Sequence, residues 1–463
     1  MKRLSTGVRG LDEILSGGIP LNAITVLMGS PGTGKSILAE QIAFAGATKE
    51  RPALYLTTYS EPLEKFIANS QAYAFFESAK VGVEIQYEDL GQTIREHGFA
   101  SLPKVVAELI AQRRPSIVII DSFKALCELG ATPQESRTVL FDLATVLSNF
   151  DCTTFLVGEY ASENLTELPV FAVADCILSL QKHKLAGGEQ RFLRVEKMRG
   201  SAFVPGLHAF SIAADGLEVF PRLLTPPAFT GYAGSAERLN TGVEGLDVLV
   251  EEGILRGSTT VLAGPTGSGK TMLGLQFLNQ GLRAGEAGLL VGFQENPVQL
   301  LRVMKGMGWD PNDPTRGGLF EFLYRSPVEM QLDEVALRIL ERVRTGKVKR
   351  VVIDALGDLK RRSVEPGRFA DYVYALTQWF ALNGVTCLMA YELRELFEFH
   401  SITGEEVSNM ADNILLLRFT PGATMERTLR VVKTRGSGHD QREHRLLLSK
   451  MGVAVGKPWE GEG

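Results

Sequence analysis

Cysteine is scarce in this chain. Its 463 residues include four, Cys127, Cys152, Cys176 and Cys387, and no two form a C-x-x-C pair. That spacing excludes a disulfide framework and a paired-thiol zinc motif, and predicts buried thiols in a reducing cytosol. Long apolar runs are missing as well: no stretch approaches the roughly 20 residues that cross a bilayer as a helix. The opening residues, Met1-Lys2-Arg3-Leu4-Ser5-Thr6, lack the apolar core of a signal peptide, so a cytoplasmic location is expected. Nor is there a surplus of positive charge. Lys and Arg total 49 against 54 Asp and Glu, a net charge of -5, which gives no bulk attraction to nucleic acid or an anionic membrane. What is present is an ordinary globular balance, 44% hydrophobic and 22% charged, enough to fill about two to four cores at this length.

The chain repeats itself. Leu4-Ser5-Thr6-Gly7-Val8-Arg9-Gly10-Leu11-Asp12 returns as Leu239-Asn240-Thr241-Gly242-Val243-Glu244-Gly245-Leu246-Asp247. Lys35 recurs as Lys270, Asp121 as Asp354 and Lys197 as Lys433. A period this long is a duplicated domain; solenoid repeats run about 20–50 residues. Between the copies, Pro221 to Ala236 is rich in Pro and Gly and reads as a linker. The expected domains are therefore 1–220 and 237–463, joined by 221–236.

Inside the first copy, short apolar runs alternate with helical patterns. Ala23–Met28, Ala53–Thr57, Ser116–Ile120 and Thr153–Val157 read as strands, and Ser36–Ala47 and Leu102–Arg113 as helices. Thr132-Pro133-Gln134-Glu135 has the form of a capping box with proline at the first helical position, opening a helix to about Asn149. Such alternation predicts a parallel sheet flanked by helices. The close-set strands Cys176–Gln181 and Gln190–Met198 suggest an antiparallel C-terminal extension.

Two phosphate cradles follow from spacing. Gly29-Ser30-Pro31-Gly32-Thr33-Gly34-Lys35-Ser36 and Gly264-Pro265-Thr266-Gly267-Ser268-Gly269-Lys270-Thr271 both fit G-x-x-x-x-G-K-[ST]. The glycines let backbone N–H groups turn inward around phosphates, and the helix that follows presents its positive end. Lys35 and Lys270 are expected to reach the β- and γ-phosphates of ATP, and the Ser36 and Thr271 hydroxyls to ligate Mg²⁺. One such match can arise by chance; two, each after an apolar strand and before a helix, cannot be set aside that way. Ile117-Val118-Ile119-Ile120-Asp121 and Val351-Val352-Ile353-Asp354 each end a buried strand on an acid. Asp121 and Asp354 are expected to complete the metal site. Hydrolysis also needs a carboxylate to orient water, and Glu61 and Glu295, just past the strand after each P-loop helix, are the candidates.

On these motifs, together with Lys197-Met198-Arg199-Gly200 and Lys433-Thr434-Arg435-Gly436, the chain resembles the KaiC family over nearly its whole length. That family comprises the cyanobacterial clock ATPase and its bacterial and archaeal relatives. The resemblance implies two tandem RecA-like P-loop NTPase domains of α/β class. It also implies a homohexameric double ring in which Lys197, Arg199, Lys433 and Arg435 reach the γ-phosphate held by a neighbouring subunit. A KaiB-like protein or a histidine kinase is the implied partner. Departures accompany the likeness. The family carries a Glu-Glu pair at the catalytic position, whose first member is here Ser60 or Gln294. Its adjacent phosphorylated Ser and Thr correspond to Ser408 and Asn409, so Ser408 alone could be an autophosphorylation site, and Gln294 cannot serve as its base. The family's long C-terminal tail is not seen before Gly463.

Two other classes compete. A DNA-dependent ATPase of the RecA superfamily needs a basic face, for which Lys360, Arg361, Arg362 and Arg368 are the candidates. Their alternative reading is a solvated charge run. A non-catalytic scaffold would use ATP only to join subunits.

Overall fold

The computed structural model describes residues 2–58, 63–128, 132–161, 168–185, 188–226, 235–310, 318–365, 367–393, 409–420 and 425–460. The chain forms two compact units, Met1–Arg222 and Leu223–Gly463. Much of the stretch expected to be a linker, residues 227–234, lies outside the described residues, as do Glu61 and Ser408.

The first unit runs β1 (Ile24–Gly29), α1 (Lys35–Gly46), β2 (Ala53–Thr57), α2 (Leu63–Ser70), β3 (Ile85–Asp89), α3 (Leu102–Arg113), β4 (Ile117–Asp121), α4 (Pro133–Asn149), β5 (Thr153–Gly158), β6 (Cys176–Leu185), β7 (Gly188–Met198), β8 (His208–Ala213) and β9 (Gly216–Phe220). These strands make one nine-stranded sheet in the order β9-β8-β7-β6-β1-β5-β4-β2-β3. From β3 through β6 all neighbours are parallel; from β6 to β9 they alternate in direction. The expected antiparallel C-terminal extension is present and starts at the β6–β7 pair. β6 is antiparallel only to β7 and closes the parallel array against β1.

The second unit repeats the plan. It runs β10 (Thr259–Gly264), α5 (Lys270–Arg283), β11 (Gly288–Gly292), α6 (Pro297–Gly306), β12 (Phe320–Tyr324), α7 (Leu332–Thr345), β13 (Arg350–Asp354), α8 (Leu356–Arg361), α9 (Arg368–Leu382), β14 (Thr386–Glu392), β15 (Asn413–Thr420), β16 (Glu426–Thr434), β17 (Glu443–Ser449) and β18 (Gly452–Pro458). The sheet order is β12-β11-β13-β14-β10-β15-β16-β17-β18, again parallel as far as β15 and antiparallel beyond.

The sequence produces this locally. Ile117, Val118, Ile119 and Ile120 have no exposed surface, as a parallel strand covered on both faces requires. Alternation sends Ile117 and Ile119 into the core on one face and Val118 and Ile120 into the core on the other. Burial of each such side chain is worth about 1.5–3 kcal/mol. At the start of α4, Thr132 Oγ1 accepts the Glu135 N–H at 3.1 Å, which fixes that helix where the capping pattern placed it.

The repeated opening phrase is a clasp. Asp12 Oδ1 accepts the Thr6 N–H at 2.9 Å and the Thr6 hydroxyl at 2.6 Å; Asp247 does the same for Thr241 at 3.0 and 2.6 Å. Arg3 and Arg238 close the other side, each donating from Nη1 to two carbonyls, those of Leu15 and Gly18 and those of Val250 and Gly253.

Candidate functional site: two nucleotide cavities

Each P-loop lies at the C-terminal end of its sheet's central strand, where open α/β sheets place their ligands. α1 opens behind Gly34 at φ 103° and α5 behind Gly269 at φ 108°, a region that favours glycine. A Cβ at Gly34 would also come within 2.5 Å of Ile212. The unpaired N–H groups of each helix's first turn thus face the loop.

Lys35 Nζ donates to the Ser30 carbonyl at 2.9 Å. Lys270 Nζ donates to the carbonyls of Gly264 at 2.8 Å and Pro265 at 2.7 Å. Burial holds both ammonium groups below their ordinary pKa. Glu159 and Asp121 oppose that at Lys35, and Asp354 and Glu392 oppose it at Lys270. The strand-end acids lie beside them. Tyr55 donates its hydroxyl to Asp121 Oδ2 at 2.9 Å, and Thr271 Oγ1 donates to Asp354 Oδ2 at 2.6 Å. Burial pushes both carboxyls above the usual range, against the hydrogen bonds and the neighbouring lysine that lower them. A hydroxyl next to a carboxylate offers the hard oxygens that suit Mg²⁺ shared with phosphates.

Cavities open over both constellations. The first, about 940 Å³, is lined by Lys35, Ser36, Asp121, Glu40 and Glu159 among others. The second, about 300 Å³, is lined by Lys270, Thr271, Asp354, Glu295 and Glu392 among others. Glu295 thus shares a cavity with its P-loop lysine. Its carboxyl is raised by loss of surrounding water and then by the Asp354 charge, although more than a third of the residue remains open to solvent.

A sequence model described as the KaiC ATPase matches residues 4–223 and again residues 239–460. The circadian clock oscillator protein KaiC of a Picosynechococcus species is 27% identical over 98% of this chain and 90% of its own length. KaiC 1 of a Synechocystis species is 27% identical over 98% and 89%, and KaiC3 from the same genus 25% over 99% and 92%. The chain belongs to the KaiC ATPase family. It is an ATP-binding, tandem P-loop ATPase in type.

Within this KaiC-family chain the basic K-x-R-G residues are not among those lining their own unit's cavity. Lys197 Nζ donates to the Phe171 carbonyl at 3.0 Å, and Arg199 pairs with Asp175 at 3.6 Å. Lys433 Nζ donates to the Ala411 carbonyl at 2.7 Å, and Arg435 pairs with Asp412 at 3.4 Å. Both strands carry the same register shift, opposite Ile177/Leu178 and Ile414/Leu415. The basic run considered as a DNA face is largely occupied inside the second unit. Arg361 meets Asp358, Arg362 Nε donates to the Pro327 carbonyl at 2.6 Å, and buried Arg368 pairs with buried Asp333 at 2.6 Å.

Glu61 lies outside the described residues, but strand register bears on its pairing with Glu295. Thr57 ends β2 where Gly292 ends β11. In sequence, Glu295 comes three residues after Gly292 and Glu61 four after Thr57. Sequence reading missed Glu159 and Glu392. The latter sits opposite Gly264 across β10 and β14, and its carboxylate accepts from Thr266. A glutamate recurring at the end of the strand after each strand-end aspartate was the available signal.

Proposed function

We propose that both units bind Mg-ATP and hydrolyse it to ADP and phosphate, as a signalling ATPase assembled into a homohexameric double ring. The observation that carries this reading is the duplicated constellation itself: a buried lysine folded onto P-loop carbonyls, beside a hydroxyl and a strand-end carboxylate, over a cavity. In it, Lys35 and Lys270 contact the β- and γ-phosphates. Ser36 with Asp121 and Thr271 with Asp354 hold Mg²⁺, whose charge offsets that of the triphosphate. Glu295, and Glu61 in the first unit, orient the attacking water. Lys197, Arg199, Lys433 and Arg435 reach the nucleotide of a neighbouring subunit, which accords with their lying apart from their own cavities. The partner read from the resemblance is a KaiB-like protein or a histidine kinase. Ser408 is the remaining hydroxyl of the family's phosphorylated pair. With Gln294 in place of the acid that would take its proton, transfer to water should dominate.

The test is mass spectrometry of the purified chain after incubation with Mg-ATP, alongside native mass measurement. Two bound nucleotides per chain, released ADP and an ATP-dependent hexamer are expected, with little phosphate on Ser408. A chain that binds adenine nucleotide at neither cavity sinks the reading.

A further inference from the structure

Gln294 is not idle in the second cavity. Its Nε2 donates to both carboxylate oxygens of Asp358, at 3.2 and 3.0 Å. Asp358 is 2% exposed and lies on α8, four residues past Asp354. Its other partner is the guanidinium of Arg361, from the same helix. A buried carboxylate demands such partners, and here one of them comes from a different element, the segment after β11 that also carries Glu295. The contact therefore ties the end of the Asp354 strand to the residue preceding Glu295. The contact calls for a hydrogen-bond donor, and a glutamate at 294 would instead set two carboxylates against each other. In the first unit, the residue at the corresponding distance past Asp121 is Ala125, which offers no such acceptor.

We propose that Asp358 is a positioning residue for hydrolysis in the second unit: through Gln294 it holds Glu295 against the Thr271–Asp354 pair. This rests on Glu295 as the water-orienting group. Holding a reacting group in place is worth a large factor, since about 1 Å of misplacement can cost about a hundredfold in rate.

The experiment measures ATP turnover by the full chain carrying Lys35→Ala, so that the rate reports the second cavity. Asp358→Ala should lower kcat roughly ten- to a hundredfold with KM for ATP within about twofold, the mark of an interaction needed for the chemical step rather than for binding. Asp358→Asn, which keeps an oxygen for the Gln294 amide, should recover most of the rate. Gln294→Leu should reproduce the Asp358→Ala loss while leaving the Asp358–Arg361 pair in place, which guards against a folding artefact. On a Glu295→Gln background, Asp358→Ala should cost nothing further. Full kcat in both Asp358→Ala and Gln294→Leu, or a loss that persists undiminished on the Glu295→Gln background, overturns the proposal. Unchanged turnover in Glu295→Gln alone would instead remove the role given to Glu295. An inactive Glu295→Gln beside a fully active Asp358→Ala removes the tether and leaves that role standing.

Discussion

The two cavities share a P-loop lysine, a hydroxyl and a strand-end carboxylate and differ in what lies beneath them. Under the first, Glu40 of α1 accepts from Ser70 at 2.8 Å and from Tyr87 at 3.2 Å, and the Tyr55 ring packs at a tilt against Tyr87 while its hydroxyl bonds Asp121. Strand and helix register put Leu275, Leu290 and Phe322 at the places of Glu40, Tyr55 and Tyr87. The floor is polar and titratable in one unit and hydrocarbon in the other. The lesson concerns duplication. The P-loop groups are held in both copies by the geometry of a strand–loop–helix turn. The layer behind them differs in character between the copies, hydrogen-bonded in the first and apolar in the second.

The largest effects should separate the sites outright. Lys35→Ala should weaken ATP at the first cavity by roughly a hundredfold or more, and Lys270→Ala at the second, since each removes a charge-assisted phosphate contact. Nucleotide counted per chain should fall from two to one in either variant; loss of both in one variant would break the comparison. Next, with Lys35→Ala as background, Glu295→Gln should reduce kcat by about 10²–10³. Glu61→Gln with Lys270→Ala as background should cost less, because Glu61 follows its strand one residue later in sequence than Glu295 does, and steady-state turnover of the pair measures that difference.

The floor itself predicts a pH effect confined to the first unit. Burial pushes the Glu40 carboxyl from 4.5 up to about 7, against the hydrogen bonds from Ser70 and Tyr87. The folded form then holds a proton that the unfolded chain has released, so the stabilisation is complete below pH 4.5 and disappears as pH rises through about 7. The loss should be on the order of 3 kcal/mol. Glu40→Gln keeps the acceptor oxygen and should flatten it, a result readable from urea unfolding at acid and alkaline pH. The smallest change is Tyr55→Phe, which makes the first floor more like the second. It withdraws one donor from a buried carboxylate and should cost about 1–2 kcal/mol in the same assay; no change would mean that Asp121 is held adequately by its other neighbours.

How much of this could be read in advance follows from the range of each interaction. P-loops, strand-end acids and the α4 cap are contiguous in sequence, so their residues announce themselves together. β3 and β12 were overlooked because Ile85–Asp89 and Phe320–Tyr324 are outer strands, only partly buried and carrying acids, with no clean alternation. The β8–β9 hairpin, at the other edge of the sheet, was missed although most of its residues are buried. Glu40, Glu159, Glu392 and Asp358 escaped because their significance comes from neighbours across the sheet or in a separate loop. Glu61 and Glu295 were matched by residue type, and Glu61 lies outside the described residues.

The clasp at the head of each repeat has an engineering consequence. The bonds from Asp12 and from Arg3 Nη1 reach at most 15 residues along the chain, as do those from Asp247 and Arg238, and the further bond from Arg3 to Ser201 stays inside the same unit. Each copy therefore carries its own buckle. A graft that exchanges one repeat for another, cut just ahead of that buckle, would leave every bond of the fastening inside the transplanted piece.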